Sequence, residues 1–310
     1  MTESIPPDPR KILASLGISE AQAERVTGGA ATAVWKVIWR GQSYALRVFR
    51  SDQTAACEHE ITFMRIAAAS GISVPEIIRQ GVWMDQPVLL LSWIRGATLI
   101  EQLRAQPWNG WRLGTAFGRM QAEIHRVSIP EAHDSTGWIE WAGDEPELKA
   151  RLYDLKSRTS RLPQSRLPQS RLPQSRLLHL DYHPLNVMAD SQNVTGVLDW
   201  TNAAAGDPRA DFARTYSILR VEPLPPSEPA LMTSLLRRVL ERAWRSGYQQ
   251  AGGHLGHPNE MALFYAWAGA VMIRDLGRHL PNPDHWLEDH HFDSVRRWRD
   301  HWKQQAGIPL

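Results

Sequence analysis

Asp181, Asn186 and Asp199 are the residues whose types and spacing point most directly to chemistry. The first two lie in His179-Leu180-Asp181-Tyr182-His183-Pro184-Leu185-Asn186, an H-x-D-x-x-x-x-N pattern. The third closes the apolar run of Val197-Leu198-Asp199-Trp200. Phosphoryl transfer needs one carboxylate to orient and deprotonate a hydroxyl, and amide and carboxylate oxygens to hold Mg²⁺ on nucleotide phosphates. These three residues are a chemically sufficient set, and such spacing seldom arises by chance. A second chemistry starts from the same stretch. H-x-D-x-H places His179, Asp181 and His183 on one face of an extended strand, a reasonable ligand set for a metal-dependent hydrolase. That reading leaves Asn186 and Asp199 without a role.

The elements that must position these residues change character along the chain. Lys11 to Val26 reads as a short amphipathic helix with Leu13, Leu16 and Ile18 as its apolar positions, broken by Thr27-Gly28-Gly29-Ala30. Thr32–Trp39 and Tyr44–Phe49 are rich in β-branched and aromatic residues around an Arg40-Gly41-Gln42 turn, which predicts a hairpin. Thr54–Ser70 reads as a helix ended by Gly71, followed by strands at Val74–Gln80 and Val82–Ser92. Beyond Gly96 helices dominate: Thr98–Gln106, Trp111–His125, Glu145–Lys156, Asp211–Leu219, Met232–Gln250, Asn259–His279 and Phe292–Gln305. Strand signals in this half flank the chemical motif, at Arg176–Leu180, Asn186–Met188 and Val194–Leu198. The expectation is an α+β chain: a small antiparallel-sheet lobe with one helix over residues 1–95, and a larger, mostly helical lobe over 96–310.

Composition narrows the function classes. A chain of 310 residues with 43% hydrophobic and 22% charged residues is an ordinary globular protein. Its formal net charge of +2 argues for neither nucleic acid nor an acidic membrane surface as a partner. Cys57 is the only cysteine, so no intrachain disulfide and no Cys-based zinc site can form, which favours a reducing, cytoplasmic setting. Met1–Gly17 contains acids and three prolines and no long apolar core, unlike a signal peptide. Met261–Ile273 is too short to span a bilayer. No G-x-x-x-x-G-K-[ST] sequence occurs, which excludes a P-loop NTPase.

With both halves in view, the chain resembles the aminoglycoside phosphotransferase and choline kinase-like family, which has a bilobal protein-kinase-like fold. His179-Leu180-Asp181-Tyr182-His183-Pro184-Leu185-Asn186-Val187 is similar to that family's H-G-D-x-H-P-x-N-V motif, with Leu180 in place of the usual glycine. Val197-Leu198-Asp199-Trp200 resembles its metal-binding strand end, and Gly206-Asp207-Pro208 with Asp211 resembles the helix start that follows. The resemblance covers roughly residues 25 to 280 and is strongest from His179 to Asp211. It implies that Asp181 is the base acting on the substrate hydroxyl, and that Asn186 and Asp199 hold Mg²⁺. His179 and His183 would support the loop. Tyr44-Ala45-Leu46-Arg47-Val48 takes the place of the kinase V-A-I-K strand, with Arg47 where lysine is usual and Glu60 as its helix partner; Glu58 is a nearby competitor. Gly28 and Gly29 would belong to the phosphate-covering loop. Ser92, Trp93 and Ile94 would form the hinge (residues 91–96), whose backbone reads the purine edge.

The implied activity is transfer of the γ-phosphoryl of ATP or GTP to a hydroxyl of a small molecule, such as an antibiotic, an amino alcohol or a sugar. Antibiotic resistance is one possible outcome. A pseudokinase that binds nucleotide without turnover is the alternative, supported only by Arg47 and Leu180. No nucleic acid or membrane partner is expected, and the chain would act as a monomer or homodimer. Asp284-His285-Trp286-Leu287-Glu288-Asp289-His290-His291 could bind a cation or a metal, but reads more simply as a solvated helix end. Ser-Arg-Leu-Pro-Gln occurs three times in tandem from Ser160 to Gln174, with a fourth copy begun at Ser175. Proline every fifth residue opposes a helix, so residues 158–176 read as an exposed, flexible loop that absorbed a tandem expansion. Deleting Ser165–Gln174, two whole repeats, is expected to leave melting temperature and phosphotransfer activity almost unchanged. A large loss of activity would place the loop in the site.

Overall fold

The computed structural model describes residues 8–26, 33–129, 137–161, 175–223, 230–278, 280 and 285–310. Two compact units emerge. One comprises the chain up to Gly96 together with Thr195–Thr201, and the other comprises Ala97–Val194 and Asn202–Leu310. Gly28 and Gly29 lie outside the described residues, as does the repeat core at 162–174.

The first unit begins with α1 (Pro9–Ser15), capped by Asp8, whose carboxylate accepts the Arg10 N–H at 3.0 Å. The helix stops there and does not reach Val26 as its apolar spacing suggested. Gln22–Arg25 instead forms β1 and pairs with β2 (Ala33–Trp39), Gln22 opposite Ile38 and Arg25 opposite Trp35. Then come β3 (Gln42–Val48), α2 (Thr54–Ala69), β4 (Ile77–Trp83) and β5 (Gln86–Ser92). The sheet order is β1-β2-β3-β5-β4, with every neighbouring pair antiparallel.

The β4–β5 turn falls at Met84-Asp85, both with positive φ (47° and 61°), which is the geometry of a tight two-residue hairpin. The sequence reading broke the strands at Gly81 instead. Gly81 lies inside β4 opposite Val88, and a Cβ there would meet Leu16 Cδ2 at 2.8 Å. The glycine admits a neighbouring side chain and makes no turn.

Alternation then determines the chemistry of β3. Leu46 and Val48 turn to one face and pack with Ile12, Leu13, Trp35, Val37, Val88 and Leu90. Arg47 turns to the opposite face, where α2 buries Cys57, Glu60, Phe63, Met64 and Ala67 at helical spacing. Burial, with the Glu60 charge next in effect, pushes the Cys57 thiol up to about 11. Thr195–Thr201 is tied into this unit by its backbone. The Val197 N–H donates to Ser73 O at 2.9 Å, Ser73 Oγ donates to Thr195 O at 2.6 Å, and Thr195 Oγ1 donates to Arg95 O at 2.7 Å.

The second unit starts with β6 (Ala97–Thr98) and α3 (Leu99–Ala105). Thr98 and Glu101 form a reciprocal capping box at the start of that helix. Next come α4 (Gly110–Ile124), the single turn α5 (Gly137–Glu140) and α6 (Pro146–Arg161). The helix continues four residues into the segment read as a loop from residue 158, because the first proline of the repeats comes only at Pro163. Short strands β7 (Arg176–Leu178), β8 (Val187–Ala189) and β10 (Ala204–Gly206) follow, β10 pairing with β7 and β6 with β8, while β9 (Val194–Val197) belongs from Thr195 onward to the first unit. The remainder is α7 (Pro208–Val221), α8 (Ala230–Gln250), α9 (Pro258–Gly277) and α10 (Asp289–Gln305).

From Met261 to Met272 every residue of α9 is buried, so the most apolar stretch of the chain is a core helix. Among the described residues no helix is long and apolar enough to cross a membrane. Trp244 and Trp267 are fully buried, and Trp286 packs on the cluster of Ile218, Met272, Leu276, Leu287, Phe292 and Val295. Nearby, Glu288 and His291 form the capping box of α10, and exposed His290 lies 3.1 Å from Glu288. Asp284 lies outside the described residues, and among those described no group of three or more His, Cys, Asp or Glu could hold a metal ion.

The closest helix contact runs between α4 and α8. A Cβ on Gly114 would lie 2.7 Å from Ala243 Cβ, and one on Gly118 would lie 2.0 Å from the Trp244 carbonyl oxygen. The second obstacle is backbone, so no rotamer change can relieve it. Gly118→Ala is therefore expected to destabilise the protein by at least about 1–3 kcal/mol, the usual range for overpacking. Denaturant unfolding monitored by tryptophan fluorescence would measure it, and unchanged stability would refute the close approach.

Candidate active site

In the second unit, β7 ends at Leu178 and β8 begins at Val187, so the H-x-D-x-x-x-x-N stretch is the connection between two short strands. Its backbone is held from beneath by Asp211, which is fully buried in the first turns of α7. Asp211 Oδ1 accepts the Leu180 N–H at 2.7 Å and Oδ2 accepts the His179 N–H at 3.2 Å. Oδ2 also faces His125 Nε2 at 2.8 Å. Burial opposes charge on Asp211, but the hydrogen bond from His125, with His179 and its backbone N–H adding to it, keeps its pKa below the ordinary carboxylate value.

Leu180 shows why this support is needed. Its φ is +59°, a left-handed conformation that costs a non-glycine residue about 1–2 kcal/mol. Its side chain is completely buried, so packing and the Asp211 clamp together hold a shape that glycine would adopt freely. Further contacts fix the next residue. Tyr182 stacks on Phe117 at 4.4 Å and donates to the Phe117 carbonyl at 2.8 Å, while Thr215 Oγ1 donates to Tyr182 O at 2.8 Å. Behind them Gln121 donates to Thr215 Oγ1 and accepts from Trp244 Nε1.

The loop brings Asp181, His183 and Asn186 together. The Asn186 amide nitrogen donates to the Asp181 carbonyl at 3.0 Å and to Asp181 Oδ2 at 3.1 Å, and lies 3.1 Å from His183 Nε2. Those contacts orient the Asn186 amide oxygen to the other side. His183 Nε2 lies 3.6 Å from Asp181 Oδ2. Burial works to raise the Asp181 pKa, yet His183, Arg214 and His179 hold it well below the usual carboxylate range. Burial works to lower the His183 pKa, and the Asp181 carboxylate outweighs it, so that pKa rises. His179 is fully buried, sits edge-on to Tyr182 at 5.9 Å and accepts the Asp181 N–H on Nδ1 at 3.3 Å. Asp207 lies outside this cluster. It caps α7 by accepting the Arg209 N–H at 3.0 Å.

The first unit carries its own network. Arg47 bonds Glu60 Oε1 at 2.5 Å through Nη1 and Asp199 Oδ1 at 3.3 Å through Nη2. Glu58 is exposed on α2, which leaves Glu60 as the partner. Burial disfavours charge on Arg47, but Glu60 and Asp199 outweigh it and raise its pKa. Asp199 has φ +59° and a side chain 40% exposed, so its carboxylate remains open to solvent on one side. Ser92 and Trp93 spend their amides internally, the Ser92 N–H on Glu76 O at 2.8 Å and the Trp93 N–H on Ser43 O at 3.3 Å.

Several residues in these networks carried no signal in the sequence reading. Thr201 Oγ1 lies 2.6 Å from Asp199 Oδ1 and 3.1 Å from Glu60 Oε2, linking the two carboxylates. His125 and Arg214 reach the loop from helices far away in sequence, Arg214 through Nε to Leu180 O at 3.4 Å and through Nη2 to Asp275 at 2.9 Å. Only an aspartate-x-threonine spacing at Asp199–Thr201 was available to suggest one of them.

Asn186, in the second unit, and Asp199, in the first, each carry an oxygen of the hard kind that Mg²⁺ accepts. His179, Asp181 and His183 form no metal-binding group, in keeping with the buried ring of His179, so the hydrolase alternative loses its ligand set.

The chain belongs to the phosphotransferase enzyme family, whose profile matches residues 22–264. Its fold is that of the aminoglycoside phosphotransferases, an α+β, protein-kinase-like fold. A thermostable variant of APH(4)-Ia in ternary complex with ADP and hygromycin B superposes with a TM-score of 0.59 at 15% identity, over 96% of this chain and 97% of that one. The aminoglycoside phosphotransferase APH(3'')-Id from Streptomyces rimosus gives 0.55 at 19% identity, over 84% and 96%. An aminoglycoside-3'-phosphotransferase of type VIII gives 0.53 at 17% identity, over 80% and 93%. No curated protein matches the chain.

Arg47 neutralises a glutamate that is only 1% exposed. Arg47→Met is expected to destabilise the protein by about 3–5 kcal/mol, because it leaves a buried carboxylate unpaired. Adding Glu60→Leu should recover most of that loss in urea unfolding. No recovery in the double variant would mean that the pair is not the source of the effect.

Proposed function

We propose that this protein is a small-molecule kinase that transfers the γ-phosphoryl group of ATP or GTP to a hydroxyl of a compact acceptor. The observation that carries this reading is the Asp181 carboxylate, fixed by Asn186 on one side and by the Asp211-clamped backbone on the other. Asp181 would accept a hydrogen bond from the acceptor hydroxyl and take its proton as the bond to phosphorus forms. Its depressed pKa makes it a weak base. A loose, largely dissociative transfer asks for orientation of the hydroxyl more than for early proton removal, so that is no obstacle.

Arg47, held by Glu60, would supply a planar cationic fork to the nucleotide phosphates, where arginine can replace lysine in charge though not in shape. Asn186 and Asp199 would hold Mg²⁺, which when bound neutralises the phosphate oxygens. The backbone of the hinge at Ser92, Trp93 and Ile94 would meet the base, with apolar side chains packing on its ring. The homologous fold hosts hygromycin B in APH(4)-Ia, so an amine-bearing antibiotic belongs on the acceptor panel with macrolides, amino alcohols and sugars. A nucleotide-consuming reaction of this kind fits a cytoplasmic location.

A coupled nucleotide-consumption assay across that panel, with ATP and GTP in parallel, tests the proposal. Asp181→Asn is expected to lower kcat by about 100- to 10,000-fold, while nucleotide affinity stays within about twofold. Asp199→Ala should weaken Mg²⁺-nucleotide binding as well. Undiminished transfer in either variant would sink the assignment. Nucleotide binding with no transfer to any acceptor would point to a pseudokinase.

A further inference from the structure

We propose that Tyr248, on α8, is a positioning residue for phosphoryl transfer: its hydroxyl donates to Nδ1 of His125, holds the ring in line with Asp211 and so maintains the Asp211 clamp on the catalytic loop. The proposal rests on the kinase reading for its catalytic consequence, though the clamp itself is independent of it.

The assignment follows from donors and acceptors. His125 is buried at the end of α4, with Nε2 2.8 Å from Asp211 Oδ2 and Nδ1 2.8 Å from the Tyr248 hydroxyl. An ionised carboxylate only accepts hydrogen bonds, so Nε2 must carry a hydrogen. In the neutral ring Nδ1 then presents a lone pair, and the Tyr248 O–H donates to it. Burial, with Asp211 and Asp207 adding to it, pushes the Tyr248 phenol far above its ordinary value, so its proton stays in place. The ring cannot drift away. Tyr248 is 1% exposed, meets the His125 ring edge-on at 5.5 Å and leans on Phe212 at 4.9 Å. Phe212 in turn stacks on Trp244 at 4.2 Å.

The chain of bonds has a defined end. Tyr248 donates to His125, His125 donates to Asp211, and Asp211 accepts the amides of His179 and Leu180 immediately before Asp181. Without the Tyr248 hydroxyl, the buried Nδ1 lone pair would have no donor and the His125 ring would lose its second anchor, leaving its bond to the carboxylate less firmly aligned. That would loosen one of the supports of a loop whose Leu180 already sits at φ +59°. Leu180 stands where the related motif has glycine, so the loop here depends on its clamp more than a glycine-containing loop would.

Three measurements on the full chain test this. In Tyr248→Phe, NMR-detected amide exchange at His179 and Leu180 is expected to accelerate about tenfold relative to amides of α9. In the same variant kcat should fall about tenfold, with the nucleotide KM within about twofold, as expected for a displaced catalytic group. In a His125→Gln background, where a side-chain amide can donate to Asp211 and no Nδ1 lone pair needs the Tyr248 hydroxyl, Tyr248→Phe should change kcat by less than about twofold. A lowered melting temperature with unchanged kcat and exchange would show a merely structural tyrosine and overturn the proposal. So would an equal loss in both backgrounds. If wild-type protein phosphorylates no acceptor, the kinase reading fails separately, and the exchange rates alone decide the clamp. Should Tyr248→Phe fail to fold, His125→Gln is expected to exchange within about twofold of wild type, and His125→Leu about tenfold faster. Equal exchange in those two would overturn the clamp.

Discussion

One buried carboxylate organises the second unit. Asp211 would be unstable without water or partners, since a desolvated charge must be fully hydrogen-bonded to persist. It finds those partners in two consecutive backbone amides and an imidazole. The requirement works in both directions. The carboxylate needs the amides, and the amides can be presented to it only if the chain turns sharply at Leu180. The unusual backbone at Leu180 is thus held in place by the same bonds that satisfy the charge, and Asp181 takes its direction from both.

A comparable arrangement orders the first unit, built on a cation. Strand alternation sends Arg47 to the α2 face of the sheet, where Glu60 meets it at 2.5 Å. The guanidinium has enough donors to engage Asp199 at the same time, and Thr201 joins the two carboxylates on the other side. A lysine ammonium is a compact point charge with no planar fork, so arginine at this position shapes the network as well as neutralising it. Asp199 keeps a solvent-facing side, with a side chain 40% exposed.

Much of this was legible in the amino-acid order, for reasons that can be stated. Most helices between α2 and α10 were legible there, the single turn α5 being an exception, and the β2–β3 hairpin carries alternation with a glycine turn. Errors arose where a local signal had a tertiary cause. Gly81 looks like a strand break but makes room for Leu16, and Met84-Asp85 makes a tight turn with no glycine in it. Gln22–Arg25 continued an apparent helical pattern but is a strand because β2 offers it an edge. The glycines of α4 gave no hint that α8 lies against them, since a close approach needs two helices and only one is local.

The sequence by itself pointed to the family and, through that resemblance, to a candidate reaction class and candidate residues, because phosphoryl transfer asks for a carboxylate, an amide and a second carboxylate at short, recognisable spacings. The resemblance also named Glu60 as the partner of Arg47 over Glu58. Only the tertiary structure decided what supports those groups. Thr201, His125, Arg214 and Tyr248 act through hydrogen bonds whose partners lie from two to more than a hundred residues away. A hydrogen bond is defined by distance and angle in space, and no spacing along the chain records it.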